Sequence, residues 1–496
     1  MHLAQSLATL PLDPASATPM FRQLYEAIKQ TILSGQISPG IQLPPTRALS
    51  ELFGISRQTV LNAYAQLMAE GYLSGTVGKG TFVSTNLPLS RKDKHNTPVP
   101  APLQLLRPLS ARGQCFVGPQ TALNIHEGAL KAFRIGMPGI DVFPFDVWAR
   151  LEARRWRRPS HELGYSDPAG YAPLRTALAA YLRASRGVHC VPEQIVITSG
   201  SQQALFLIAT LLLAPNDGAW VEEPGYRGIS ASLHAAQARI CPVPVDNEGL
   251  CVSHGIAHHS DAKLVYVTPS HQLPLGVTMS LQRRLELLAW AAKNRTWIVE
   301  DDYDSEYRYT GPPLASLQSL DRAGCVIYVG TLSKVLFPGL RLGYLVLPPS
   351  LVDAFVQARA ILDRHATIVP QMVLADFIAE GHFGRHIKRT REVYAERRSA
   401  LLEALNTHLA EELQAGPADA GLQLSTTFRR QRNDLAVAHA AAQKGLEVRA
   451  LSRFYNVDES AESGHNRASG LVLGFAPIPV AEIKRGVTIL RDILRR

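Results

Sequence analysis

The sequence predicts an α/β chain in which a small helical unit, closed by a glycine-rich hairpin, precedes one large unit built on a mostly parallel sheet. Three observations predict it. Near the N-terminus Phe21, Leu24, Ile28, Ile32 and Leu33 recur at helical spacing, the period of a helix with one buried face. From about residue 125 onward, short β-branched or apolar runs (QIVITSG, KLVYVTPS, TWIVEDDY, VIYVGTLSK) alternate with longer helical patterns. That alternation marks βαβ units whose sheet is covered on both faces. Between the two, residues 86–124 are rich in proline and charge and hold no sustained apolar period, which reads as a linker kept partly extended by its prolines. The expected boundaries are therefore 1–85, 86–124 and 125–496.

Composition narrows the classes. With 46% hydrophobic and 19% charged residues over 496 positions, wholesale disorder is excluded and two to four folded units are expected. A net charge of +9 allows nucleic acid, an anionic membrane or anionic ligands as partners without choosing among them. Cys115, Cys190, Cys241, Cys251 and Cys325 never form a C-x-x-C pair, which argues against a disulfide scaffold and a structural zinc site and fits a reducing compartment. The opening MHLAQSLATLPLDP has no positive segment followed by an apolar core, so no signal peptide is expected. The most apolar run, Ala204 to Ala214, is far short of the ~20 residues that cross a bilayer. A soluble cytoplasmic protein with no membrane partner and no metal is the expectation.

The small unit reads element by element. Its first helix covers about 19–34 and stops at Gly35; a turn with Pro39 and Gly40 follows. PPTRALSELFGISRQTVLNAYAQLMAEGYL then reads as two short helices. Thr46 is the expected N-cap of the first, with Leu49, Leu52 and Phe53 inward, and Gly54 breaks it. Ser56 caps the second, which turns Val60, Tyr64, Leu67 and Met68 inward. Helix, glycine turn, helix is the shape of a helix-turn-helix, whose second helix can enter the major groove. YLSGTVGKGTFV, with Gly75, Gly78 and Gly80, suits a hairpin or wing. Arg57, Gln58 and Thr59 would then face base edges, while Arg47 and Lys79 would neutralise phosphate. Spacing alone leaves a three-helix protein-binding module equally open.

The whole run from SGQISPGIQLPPTRALSELFGISRQTVLNAYAQLMAEGYL through GKGTFV resembles the winged helix-turn-helix of GntR-type bacterial regulators. In that family the arginine of an L-P-x-x-R segment and the arginine opening the recognition helix touch DNA, which implies Arg47 and Arg57. Leu61 departs from relatives with a polar or basic residue there, so the resemblance does not carry an operator sequence.

In the large unit, GTLSKVLFPGLRLGY places Thr331 and Ser333 after a strand, then Lys334, and Arg341 seven residues on. A lysine at a sheet edge can form a Schiff base with an aldehyde, and hydroxyls with an arginine suit a phosphate. In TSGSQQAL a strand runs through Gly200 into Ser201, Gln202 and a helix, an anion site made of backbone N–H groups. Tyr226 of VEEPGYRG could stack flat on an aromatic ring. WIVEDDYDSEYRY ends a buried strand in Glu300, Asp301, Asp302 and Tyr303; a carboxylate there can keep a pyridinium nitrogen protonated, although an isolated acidic run is more often a solvated turn. Strand C-terminal ends are where ligands of open α/β sheets sit.

YSDPAGYAPLR, TSGSQQAL, EEPGY, VTPSHQLPLG, VEDDYDSEYRY and TLSKVLFPGLRLGY occur in that order. With them the domain resembles fold-type I aminotransferases, and more narrowly the aminotransferase-like domain of the MocR subfamily of GntR regulators. The resemblance implies pyridoxal 5'-phosphate as cofactor, Lys334 as its internal aldimine lysine and Asp301 as partner of the ring nitrogen. It implies Tyr303 on the ring hydroxyl, Tyr226 stacked on the ring, and Ser201, Gln202, Ser333 and Arg341 around the phosphate. Tyr165 would reach the phosphate of a neighbouring subunit in a homodimer. His271 and Gln272 stand where transaminases place an asparagine near the ring hydroxyl. Val472 of LVLGFA replaces the arginine with which many transaminases grip a substrate carboxylate; Arg449 of GLEVRAL is the best substitute for binding an effector, and an exposed strand charge is the competing reading.

Two other clusters are weaker. His254, His258 and His259 have near-metal spacing without an acidic or cysteine companion, so a solvated loop is expected. Arg150, Arg154, Arg155, Arg157 and Arg158 could contact DNA, with a solvated face or dimer surface as the expected alternative. The resulting expectation is a transcription factor that binds double-stranded operator DNA and senses an amino acid, an amine or pyridoxal phosphate itself through aldimine chemistry at Lys334. An aminotransferase carrying a fused DNA-binding domain is the alternative, and residual turnover is compatible with either. A DNA-binding protein with a dead, cofactor-free domain is the third.

Overall fold

Apolar periodicity and a few glycines set the elements of the small unit. The helix Met20–Leu33 buries Leu24, Tyr25, Ile28 and Ile32. The helix Thr46–Phe53 ends on Gly54 at φ +65, a left-handed position that favours glycine. The helix Arg57–Ala69 starts on Ser56, whose hydroxyl accepts the Thr59 N–H at 3.1 Å. Three short strands, β1 (Gln42–Leu43), β2 (Leu73–Thr76) and β3 (Gly80–Val83), form an antiparallel sheet in the order β1-β3-β2. The hairpin is thus as expected, while β1, two residues long, is too short to show alternation.

Three details correct the sequence reading. Pro45, not Thr46, precedes the first turn of its helix and no side chain caps it, because consecutive prolines keep the chain extended up to that point. Leu52 is 47% exposed: Leu49 is the residue this eight-residue helix buries. Met68 is also exposed, and its thioether lies over Gly75 of the hairpin, where a Cβ would stand 3.5 Å from the sulfur.

The computed structural model describes residues 7, 10–76, 80–85, 87, 108–117, 128–157, 160–311, 314–456 and 467–495. The chain divides into two units, 1–107 and 108–496. Folded structure of the second begins inside the expected linker: Ser110 caps a short helix, Ala111–Gln114, and Phe116 sits 5.8 Å from the ring of Phe206. An apolar anchor and a capped turn, too short to show a period, account for the difference.

The large unit is organised by an eight-stranded sheet in the order β4-β11-β10-β9-β8-β5-β6-β7. Its strands are β4 (Ile195–Thr198), β5 (Gly218–Glu223), β6 (Arg239–Asp246), β7 (Gly249–Leu250), β8 (Leu264–Val267), β9 (Trp297–Asp302), β10 (Val326–Thr331) and β11 (Gly343–Val346). β6, β5, β8, β9 and β10 run parallel; β11 is inserted antiparallel between β10 and β4. Strand alternation feeds two cores. Ile195, Ile197 and Tyr328 join helices 172–186 and 368–379 on one face, and Val196, Ile327 and Val329 join helix 201–212 on the other. A second, antiparallel sheet follows in the order β12-β13-β15-β14, from β12 (Leu413–Ala415), β13 (Gln423–Phe428), β14 (Arg449–Ala450) and β15 (Gly470–Gly474).

Both weaker clusters resolve into local structure. Arg154 reaches Glu380 at 2.6 Å and Asp376 at 2.9 Å, and Arg155 pairs with Asp376; these two arginines join neighbouring helices within one unit, and Arg158 lies outside the described residues. His254 and His258 stack with centroids 4.1 Å apart on the helix Val252–His258. Among the described residues no group of three ligating side chains could hold a metal, and no helix is long and apolar enough to cross a membrane.

Candidate functional site

The C-terminal ends of β4, β5, β9 and β10 bring the expected residues to one edge of the large sheet. After β4 the chain turns at Gly200, φ +90, into the helix Ser201–Leu212. Here glycine is required: a Cβ on Gly200 would stand 3.1 Å from the Arg341 guanidinium, and one on Gly343 would stand 2.8 Å from the Gly200 carbonyl carbon. Arg341 donates to the Ser199 carbonyl at 2.9 Å and is otherwise exposed. Ser201 and Gln202 therefore open a helix beside an arginine, the arrangement that suits an anion. The Gln202 amide itself donates to the Gly228 carbonyl and the Ser232 hydroxyl, both at 2.9 Å, and accepts from the Tyr226 hydroxyl at 3.2 Å. Its side chain orients Tyr226, so any contact with an anion falls to its backbone. Ser333 follows β10, where its N–H donates to the Thr331 hydroxyl at 3.3 Å.

Lys334 lies in the same loop. Its Nζ donates to the Gly136 carbonyl at 2.6 Å. Gly136 has φ +70, and a Cβ there would crowd Nζ at 3.0 Å. Burial pushes the lysine pKa below its ordinary value, opposed by the charges of Asp304 and Asp301.

The acidic run is not a solvated turn: Glu300, Asp301 and Asp302 are all buried. Strand alternation divides their tasks. Glu300 accepts the backbone N–H groups of Leu317 and Gln318 at 2.7 and 2.8 Å. Asp302 accepts from Arg186 at 2.7 Å and from the Tyr328 hydroxyl at 2.6 Å. Asp301, between them, accepts from the Tyr266 hydroxyl at 2.7 Å through Oδ2, while its buried Oδ1 has no hydrogen-bond partner. Burial raises the Asp301 pKa to about 7, moderated by the Tyr266 bond. A buried carboxylate oxygen lacking a donor, beside a half-buried lysine amine, fits a cationic ring N–H; on that test the residues present suit a pyridinium cofactor.

Sequence reasoning missed several supporting residues. Glu222 on β5 accepts from the Thr268 N–H and hydroxyl at 3.1 and 2.6 Å and from Gln272 at 3.2 Å, and burial raises its pKa to about 7. Gln272 is thus engaged by Glu222 and by the Pro224 carbonyl at 2.8 Å, whereas His271 meets Asp304 and Tyr303. Gly136, Tyr266 and Asp304 complete the surroundings; the alternation of KLVYV was the available signal for Tyr266.

Two expected residues stand apart. Tyr165 is 91% exposed, with its ring 6.5 Å from His365 and 5.9 Å from the Arg364 guanidinium carbon, and does not join this chain's lysine. Arg449 on β14 lies directly across from Val472 on β15. It therefore occupies the strand position opposite the one where an arginine is missing, and is half-buried.

The small unit presents a different surface. Arg57 and Gln58 are exposed at the start of the helix Arg57–Ala69, Thr59 is half-buried, and Leu61 is exposed one turn on. Arg47 is exposed in an i,i+4 pair with Glu51 at 3.1 Å. Lys79 lies outside the described residues.

Comparison with known proteins agrees with both units. Residues 21–83 match the family "Bacterial regulatory proteins, gntR family", and residues 140–463 match "Aminotransferase class I and II". The chain is 40% identical to the probable rhizopine catabolism regulatory protein MocR of Rhizobium meliloti, over 97% of this chain and 95% of that one. It is 33% identical to the pyridoxine biosynthesis transcriptional regulator PdxR of Corynebacterium glutamicum, over 95% of each chain. Among solved structures it is similar to the kynurenine aminotransferase of Pyrococcus horikoshii in complex with PMP, with a TM-score of 0.66 and 29% identity over 73% of this chain and 90% of that one.

Proposed function

Because the chain belongs to the MocR-type transcriptional regulators, a GntR DNA-binding domain joined to an aminotransferase class I and II domain, we propose that it reads operator DNA and senses an amino compound through pyridoxal 5'-phosphate held at Lys334. Residues 1–85 are the reader, and the chain from 86 to 107 tethers it to the cofactor unit. The observation that carries the reading is the joining, in one chain, of an exposed arginine-bearing helix to a buried aspartate with an unpartnered oxygen.

The cofactor supplies an aldehyde that bonds reversibly to amines and a ring that withdraws electrons. The chain's own residues do the rest. Lys334, whose pKa burial lowers, is the amine that would bond to that aldehyde. Asp301 would hold a proton at the ring nitrogen, and Tyr226, bonded to Gln202, would pack against the ring. Ser201, Ser333 and Arg341 gather the phosphate with the helix N-terminus. Tyr303 and His271 attend the ring hydroxyl. Arg449 receives an acidic group on the effector, and Tyr165 is offered to the site of a second copy in a homodimer. On the reader, Arg57, Gln58 and Thr59 address base edges while Arg47 and Lys79 address phosphate.

The test is one preparation carried through two assays. The purified chain is mixed with amino acids and a 2-oxo acid while cofactor absorption is followed, and it is footprinted on the DNA upstream of its own gene. Protection of that DNA, with absorption changes that do not progress to turnover, is expected. Sustained turnover with no footprint would instead make the chain an aminotransferase with an appended domain.

A further inference from the structure

Three proton-bearing side chains meet just beyond β8 and β9. His271 Nδ1 lies 3.1 Å from both carboxylate oxygens of Asp304 and 3.0 Å from the Tyr303 hydroxyl. His271 and Asp304 are both buried. An unprotonated Nδ1 would set its lone pair against two carboxylate oxygens at once, so the proton sits on Nδ1 and is donated to Asp304. An Nδ1 that carries its proton cannot accept from the Tyr303 hydroxyl 3.0 Å away, so that hydroxyl's own proton is left to point elsewhere.

The imidazole has no room to swing. Gly421, at φ +85, lies so close that a Cβ on it would stand 2.0 Å from His271 Cε1, and one on Gly276 would stand 3.4 Å from Nε2. The Gly421 N–H is itself tied to the Tyr307 carbonyl at 2.8 Å.

We infer that Asp304 is a positioning residue which, through the His271 Nδ1–H, turns the Tyr303 hydroxyl into a proton donor toward the ring oxygen of the bound cofactor. This rests on the cofactor reading above. A transaminase asparagine would bring its own N–H to this place; a histidine can do so in only one of its tautomers, and Asp304 selects that tautomer. Burial lowers the Lys334 pKa, and the charge of the same carboxylate opposes that lowering together with Asp301. The other groups facing the trio are Asp301 and Asp302 of β9 and Glu222 of β5, with Tyr266 of β8 bonded to Asp301. Asp304 thereby links the proton at the lysine nitrogen to the proton at the ring oxygen.

Asp304→Asn in the full-length chain removes the charge and keeps the shape. With pyridoxal phosphate bound, the pH midpoint of its absorption change is expected to fall by about one unit, a tenfold loss of proton affinity. His271→Asn, which restores an amide N–H, is expected to leave the midpoint within a few tenths of a unit. In the cofactor-free protein, a slowly exchanging downfield imidazole N–H resonance is expected, abolished by His271→Asn. A midpoint for Asp304→Asn equal to that of the unaltered chain would overturn the inference, and so would absence of the resonance. Failure of the unaltered chain to take up cofactor would count against the cofactor reading instead, since the resonance reports the His271–Asp304 bond with or without it. The resonance also decides the matter if Asp304→Asn does not fold.

Discussion

Arg47 and Arg57 stand in solvent on the small unit, Arg47 in an i,i+4 pair whose partners are 85% and 68% exposed, whereas Asp301 of the large unit is buried with one oxygen unpartnered. The contrast is the one the proposed ligands would require. A DNA duplex arrives as a long polyanion with its own ion atmosphere, so the groups that meet it must be displayed in water, and each acts weakly and salt-dependently. A small ring is enclosed, so a few groups are desolvated in advance and each acts strongly. The small unit stores little electrostatic cost at these arginines, whereas the large unit stores more at Asp301.

Perturbing the buried side should have the largest effects. Lys334→Ala is expected to abolish cofactor absorption that survives dialysis, while leaving affinity for DNA in the absence of effector within a factor of a few, which gel filtration and a binding titration would check. Asp301→Asn is expected to weaken cofactor binding by roughly 100-fold, about 3 kcal/mol, measured by fluorescence quenching.

The same variant should change stability with the opposite sign. Burial raises the folded-state pKa of Asp301 from 3.8 to about 7, so the folded state holds its proton more tightly than the unfolded state. This group's contribution to stability is full below about pH 4 and is lost as pH rises through about 7. Cofactor-free Asp301→Asn should therefore melt above the unaltered chain at pH 8, by about 1–3 kcal/mol, and by clearly less at pH 5, where the folded state still holds the proton. Equal melting at both values would mean that the carboxylate carries no stored cost.

Smaller effects are expected on the exposed side. Arg57→Ala should reduce operator affinity by about 1–3 kcal/mol and relax preference at one base pair. Arg47→Ala should weaken all DNA sequences alike and lower the salt slope by about 1. Neither should move the absorption spectrum; a spectral change in either would break the division of labour between the two units.

How much of this was readable from sequence depends on how local each determinant is. Lys334, Asp301, Tyr303, Tyr226 and the Gly200 turn sit in short motifs at strand ends, so pattern together with the family resemblance was enough to single them out. The alternation that gives Glu300 and Asp302 structural partners and leaves one Asp301 oxygen unpartnered was implicit in a strand of period two. Gly136 was not legible, because it meets Lys334 across 198 residues of sequence and nothing in RIGMPGID announces the encounter. Asp304 is adjacent to Tyr303, yet its task depends on His271, 33 residues upstream. The basic run around Arg154 read as a surface because its acidic partners, Asp376 and Glu380, lie on another helix. The Arg449–Val472 pairing needed the register of the second sheet. In the reader, Leu52 and Met68 were assigned inward because a short helix offers too few residues to tell the rim of its apolar stripe from the centre.

The central claim is that the buried site and the exposed one are coupled, a statement about free energy exchanged between two ligands. It is tested most directly by measuring operator affinity of the pyridoxal phosphate-loaded chain, by fluorescence anisotropy, as amino compounds that alter cofactor absorption are added, for the unaltered protein and for Lys334→Ala. The prediction is that at least one such compound changes operator affinity by about fivefold or more in the unaltered chain and leaves Lys334→Ala unmoved. An equal response in both proteins, or spectral changes with no change in DNA affinity, would contradict it.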